Sequence, residues 1–284
     1  MEFPIRPALA RAVPTLPTGP DWHFEIKLDG HRMIVRRTDD GVVCYSRTGR
    51  IVTSHWMDLA VPAMALLPGT TLDGEAVIWN GGTVDFGAVQ ARAASSLDRA
   101  RALADRLPAT YAAFDVLAHP DHGGDALAAR PYTERRTVLV DVLAAIGPPL
   151  QPVLATADRD TALEWYGTLQ PQGVEGIVAK PGSSPYPFGG RTVWRKIRHA
   201  PPTRRWSVRS GPAAVRAASR SYRTQRAGRA CPHRWIRPWP PVSARSWPTP
   251  PPRASTAPRP ARPTPGSPPA WWSRCWPGRA ATAR

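Results

Sequence analysis

Over roughly the first two hundred residues, apolar and polar positions alternate in short runs. HFEIKL (23–28), RMIVRRT (32–38), VVCYS (42–46), TLDGEAVIW (71–79), TYAAFDVLA (110–118), GVEGIVAK (173–180) and TVWRKIRH (192–199) read as β-strands, by alternation or by β-branched content. Between them the apolar spacing predicts helices over about 56–66, 85–106, 131–146 and 158–169, the last opening on a Thr or Asp cap in TADRDTALEWYGTL. Strands outnumber helices and do not alternate with them one for one. That predicts an α+β domain rather than a doubly wound one. Roughly 200 residues are ample for one buried core.

The pattern breaks near residue 203. Residues 203–284 contain 16 Pro, 7 Trp and 17 Arg, and no Leu, Phe or Met. Proline at that density defeats strands and helices alike, and a core is hard to build without those apolar residues. The chain therefore reads as one domain over 1–202 followed by a disordered basic tail over 203–284. The tryptophans are unusual for ordinary disorder, and Arg, Pro, Ala, Ser and Trp together are what a GC-rich gene yields when read out of frame. We expect a frame-shifted tail in place of a C-terminal domain; a genuine basic tail that grips nucleic acid is the alternative.

Charge sharpens that division. The formal net charge is +17, yet every acidic residue lies at or before Glu175, and charges balance over 1–202. The excess belongs to the tail alone. Cys44, Cys231 and Cys275 are too few and too scattered for a disulfide framework or a zinc site, which fits a reducing cytosol. MEFPIRPALARAVPTLP lacks the apolar run of a signal peptide, and no segment approaches the roughly 20 apolar residues of a membrane span. A cytoplasmic protein with no membrane partner is expected.

The chain holds only three lysines against 35 arginines, and one of them, Lys27, stands in FEIKLDGHR. An amine can lose its proton and attack, which a guanidinium essentially cannot. Strand alternation puts Phe24, Ile26 and Leu28 on one face and Glu25 and Lys27 on the other. Attack on phosphorus needs a lowered lysine pKa, through burial or neighbouring cations such as Arg32. Taken alone, K-x-D-G is as readily an ordinary strand and turn. Other stretches add to it: Glu75 in LDGEAVIW, Glu175 and Lys180 in GVEGIVAK, Arg47 and Arg50 in SRTGR, and Trp194, Lys196 and Arg198 alternating in WRKIRH. Singly these are solvated strand-edge acids, turn residues or a basic strand. Together, carboxylates that hold Mg²⁺ and cations that offset phosphate charge suit metal-assisted phosphoryl transfer.

In order, EIKLDGHR, SRTGR, DGE, FDVL, EGIVAK and WRKIR resemble the motifs of the covalent nucleotidyltransferases, specifically the ATP-dependent DNA ligases. The resemblance covers about residues 1–200 and extends to GGDALAARPYTERRTVLVDVL. It implies an adenylation domain of antiparallel sheets with flanking helices. It implies ATP and Mg²⁺ (or Mn²⁺) as cofactors and nicked or broken double-stranded DNA as partner, with end-joining proteins as further candidates. Lys27 would become adenylated; Glu25 would meet the adenine amino group and Phe114 would stack on the ring. Arg32 and Arg47 would contact phosphate or the nick, Glu75 the ribose or a metal, and Glu175 a second metal. Lys180 and Lys196 would reach the α-phosphate. AMP would pass to a 5′-phosphate, and the 3′-hydroxyl would displace it, in repair or recombination.

Three departures stand out. Thr48 replaces a frequent Asn, Arg195 and Arg198 replace common lysines, and the OB-fold domain that should follow has no counterpart in the tail. The position of Lys27 leaves no room ahead of it for a DNA-encircling domain, which by analogy resembles the small bacterial repair ligases. Two other readings share these residues: an RNA ligase or capping-type nucleotidyltransferase, and an inactive remnant that binds nucleotide or DNA.

Overall fold

The computed structural model describes residues 1–199. The expected domain boundary at 202 and the whole expected tail lie outside the described residues. In chain order the strands are β1 (Arg11–Ala12), β2 (Trp22–Leu28), β3 (His31–Arg37), β4 (Val42–Ser46), β5 (Thr71–Asn80), β6 (Thr83–Val84), β7 (Ala109–Ala118), β8 (Leu150–Pro152), β9 (Ala155–Thr156), β10 (Val174–Pro181) and β11 (Arg195–Arg198). The helices are α1 (Met57–Ala60), α2 (Phe86–Ala93), α3 (Leu97–Arg106), α4 (Tyr132–Ile146) and α5 (Arg159–Thr168).

These strands form two sheets. The first runs β1-β11-β10-β2-β9, antiparallel except where β1 pairs parallel with β11. The second runs β4-β3-β5-β7-β8, with β6 folded back on β5 and β8 parallel to β7. Leu28 and Val174 of the first sheet pack with Val77 and Ala112 of the second, so apolar faces join the sheets. Behind the first sheet, Phe24, Ile177, Ala179 and Ile197 pack with Ala162 of α5. Helix α4 lies along β7 and β8 and buries Tyr132, Arg135, Val138, Leu139 and Leu143, spaced as one helical face requires. The α+β class is as expected.

Two expected helices form differently. The 56–66 stretch makes only a single α-turn, then a 3₁₀ turn over Pro62–Ala65, because proline at 62 has no N–H to continue the ladder. The 85–106 stretch breaks between Ala93 and Leu97, with Asp85 capping α2 through a bond from the Ala88 N–H at 2.9 Å. TVWRKIRH contributes only Arg195–Arg198 as strand. Among the described residues, no helix is long and apolar enough to cross a membrane.

Three side chains tie the N-terminal segment and the loop after β10 to the second sheet. Arg32 donates to both oxygens of buried Asp73, at 2.7 and 2.6 Å, and to the Ala8 carbonyl at 3.1 Å. Tyr186 donates its hydroxyl to Asp73 and accepts from the Ala8 N–H at 2.9 Å.

Candidate active site

A cleft of about 900 Å³ opens between the two sheets, lined by Glu25, Lys27, Arg47, Glu75, Glu175 and Lys196 among others. That volume suits a nucleotide-sized ligand. The strand registers explain why these side chains meet. Glu25, Val178 and Lys196 stand directly opposite one another across β2, β10 and β11, and so do Lys27, Gly176 and Arg198. All three lysines of the chain therefore project from one face of one sheet. Between Lys27 and Arg198 there is no side chain at 176, because a Cβ there would collide with the Ile197 carbonyl oxygen.

The gap is filled from the neighbouring position. The pairing of β10 with β2 shifts between Val174 and Gly176, leaving Glu175 at a bulge. Bulges re-aim side chains, and Glu175 reaches both cations. Its Oε2 ion-pairs with Lys27 Nζ, and its Oε1 accepts from Arg198 Nη1 at 2.9 Å. Partial burial pushes this carboxyl up, but the Lys27 and Arg198 charges outweigh it and hold the pKa below the usual value. Phe114 has the same origin. The pairing of β5 with β7 shifts between Asp73 and Gly74, skipping Phe114. Its ring meets Trp194 edge-on at 6.3 Å, with the Arg32 guanidinium 4.6 Å from its centroid.

Glu75 faces Arg32 across β5 and β3, and its Oε1 accepts from the Gly30 N–H at 3.2 Å. Burial raises its pKa to about 7, against the opposing pull of Arg32, Lys27 and that N–H. Gly30 is required for close approach: a Cβ there would sit 2.9 Å from Glu75 Cγ and against the Ala76 carbonyl. Asp29, beside Lys27, has its pKa raised by burial and by the Glu175 charge. Lys196 has its pKa lowered by burial and by the neighbouring Arg198 and Lys27 charges.

The structure brings Lys27, Glu75, Glu175, Lys196, Glu25 and Phe114 to one cleft, with Arg47 on the exposed turn of SRTGR at its edge. Arg32 and Lys180 line the same cleft, each with its charge engaged by neighbouring groups. Arg32 is turned to Asp73, because a buried guanidinium needs a carboxylate; burial alone would lower its pKa, and Asp73 more than offsets that. Lys180 is fully buried and spends its donors on the Phe114 carbonyl at 2.7 Å and Glu25 Oε2 at 2.9 Å, with Asp115 at 3.6 Å. Its ammonium thereby links Glu25 of β2 to β7 at the cleft. Sequence reasoning also passed over Tyr132, whose hydroxyl donates to Glu25 Oε1 at 2.6 Å, and the buried Arg135–Asp115 pair beneath.

The model of the ATP dependent DNA ligase domain family matches residues 7–198. The chain belongs to the ATP-dependent DNA ligase family. Within that family, this ligase domain is 37% identical over 201 residues to DNA ligase C of Mycobacterium tuberculosis, covering 69% of this chain and 54% of that protein. It is 34% identical over 197 residues to DNA ligase C2 of Mycolicibacterium smegmatis, again covering 69% and 54%. Among solved structures, the ligase domain of M. tuberculosis DNA ligase D superposes with a TM-score of 0.54 at 28% identity, covering 70% of this chain and 61% of that one. A mycobacterial DNA ligase D complexed with ATP gives 0.53 at 28% identity, covering 70% and 62%. The chain thus spans about half the length of the curated relatives it matches.

Oxygen donors at the Lys27 end of the cleft fit a hard divalent cation. Among the described residues no three carboxylate, imidazole or thiol groups cluster into a closed metal site. Glu75 and Glu175 both line the cleft and are the oxygen donors that would hold such an ion, which takes one or two acids with substrate and water completing the shell.

Proposed function

We propose that the domain performs the nucleotidyl-transfer chemistry of a DNA ligase, with Lys27 as the residue that takes AMP from ATP. The supporting observation is the placement of the three lysines on one cleft face. Lys180 is locked by Glu25 and a carbonyl, whereas Lys27 is held only by Glu175 and a long 3.5 Å bond to the Leu28 carbonyl.

In the first step the Lys27 ammonium gives up a proton, and the freed Nζ lone pair attacks the α-phosphorus of ATP. An N–P bond forms, the bond to the bridging oxygen breaks, pyrophosphate leaves and a second proton is released from nitrogen. Lys196 and Arg198, on the same sheet face, offset the charge gathering on the phosphate oxygens. Glu75 and Glu175 would hold the divalent cation, whose positive charge further offsets the phosphates. Glu25 and Phe114 orient the base, and Arg47 meets a phosphate at the cleft edge. A 5′-phosphate oxygen of nicked DNA then displaces Lys27 from the AMP phosphorus, and the 3′-hydroxyl in turn displaces AMP to seal the strand. A phosphoramidate suits this relay, because a neutral amine attacks well and a protonated one leaves well.

The test is incubation with ATP labelled on the α-phosphate, Mg²⁺ and the whole chain, then denaturation. Acid-labile label is expected on the wild type and none on Lys27→Arg. Equal label on both would overturn the assignment.

A further inference from the structure

The bulge that aims Glu175 at Lys27 is held from outside the cleft. Glu175 lies one residue before the first pair of β10 with β11, Gly176 with Arg198, and is skipped in the register with β2. Its carbonyl accepts from the His199 N–H at 3.1 Å. In a bulge the backbone re-aims the side chain, so this bond sets the direction from which the carboxylate reaches Lys27 and Arg198.

His199, the residue after β11, is in turn fixed by a ring. Its imidazole stacks on Tyr166 of α5, with centroids 4.0 Å apart and planes 13° from parallel. Nε2 of His199 is buried and finds no hydrogen-bond partner among the described residues, so this edge of the imidazole contributes only its flat face to the contact. Tyr166 follows Ala162 by one helical turn, and Ala162 is fully buried in one cluster with Phe24, Ile177 and Ile197. Helix α5 is thus seated on the back of the first sheet, and its next turn clamps the end of β11. Neither Tyr166 nor His199 lines the cleft.

We propose that Tyr166 and His199 are positioning residues for nucleotidyl transfer: their stack holds the His199 N–H on the Glu175 carbonyl, and through that bulge sets the approach of Lys27 Nζ. The inference rests on the proposed function, in which Lys27 is the nucleophile. Neither ring touches a reacting atom; both act through Glu175. Losing the stack frees the end of β11, the bulge turns, and Lys27 loses the fixed partner that aims it. The contacts proposed for the base belong to Glu25 and Phe114 and stay in place.

With the whole chain, we would measure kcat and KM for label transfer from ATP in Tyr166→Leu, His199→Leu and His199→Phe. Each is assayed well below its own melting temperature, so an early melt leaves the rates readable. Both leucine variants should lower kcat about ten-fold with KM for ATP unchanged, the split expected when alignment is lost and binding is kept. His199→Phe keeps a flat ring and the N–H, and should retain the wild-type kcat. The double leucine variant should be no slower than either single one, because both break the same stack. A merely structural role would lower melting and leave kcat of the folded protein untouched. Unchanged kcat in either leucine variant, a loss that falls on KM instead, or an equal loss in His199→Phe would overturn the positioning role and leave the ligase reading standing. A wild type that takes no label would overturn both.

Discussion

Glu75 shows how far burial alone can move a residue that must also carry charge. Its carboxyl titrates near 7 rather than 4.5 because burial outweighs Arg32 and Lys27. Between those two values the native state binds a proton that the unfolded chain has already lost. Stability contributed by this group therefore falls as pH rises from about 4.5 to about 7. Glu75→Gln should abolish that slope. Relative to wild type, the variant is expected to gain on the order of 2–3 kcal/mol on going from about pH 4.5 to pH 8, read by denaturant unfolding. It should also lose label transfer, which separates stability from function at this position. Lys27 makes the complementary case. Lys27→Ala and Lys27→Arg should both lose covalent AMP, although the second keeps the charge; surviving transfer in the Arg variant would remove Lys27 as nucleophile.

At the scale of elements, the site depends on two places where strand pairing slips by one residue. Gly176 allows β10 and β11 to approach, and Gly176→Ala would drive a methyl into the Ile197 carbonyl and to 2.9 Å from Arg198 Cα. The backbone cannot yield there without moving β11, which carries Lys196. A loss of about 1–3 kcal/mol in unfolding free energy is expected, together with loss of label transfer. Asp85→Ala is the matched control: it should cost about 1 kcal/mol by removing the α2 cap while leaving transfer intact.

Alternation made the cleft face of β2, β10 and β11 legible in the sequence, since Glu25 and Lys27, or Lys196 and Arg198, share a face by the period of two. The bulges at Phe114 and Glu175 were not legible, because an extra residue in a strand leaves no local signature when its neighbours are β-formers. The break between α2 and α3 was hidden for a related reason: Ala94-Ser95-Ser96 contains no Gly or Pro to mark it. Tyr132 was invisible for another. It lies 107 residues from Glu25, and only the packing of α4 against β7 and β8 brings the two together. Arg32 and Lys180 were recognisable as cations, but their partners Asp73 and Glu25 are set by the sheets.

For the molecule as a whole, charge is divided rather than spread. Residues 1–202 are formally neutral, and residues 203–284 carry 17 arginines without one acid. Affinity for DNA that comes from those arginines should weaken steeply with salt, each phosphate contact adding close to 0.9 to the slope of log K against log salt. Removing residues 203–284 should flatten that slope in a duplex-binding titration; an unchanged slope would place the phosphate contacts on the ligase domain instead. The knot of Arg32, Asp73 and Tyr186 bears on the same scale. It fastens the N-terminal segment, the second sheet and the loop after β10 to one another, with each polar partner satisfied inside the protein. Because Asp73 belongs to the second sheet and Tyr186 follows β10 of the first, the knot is a polar clasp between the two sheets, and losing any one of its members strands a buried partner.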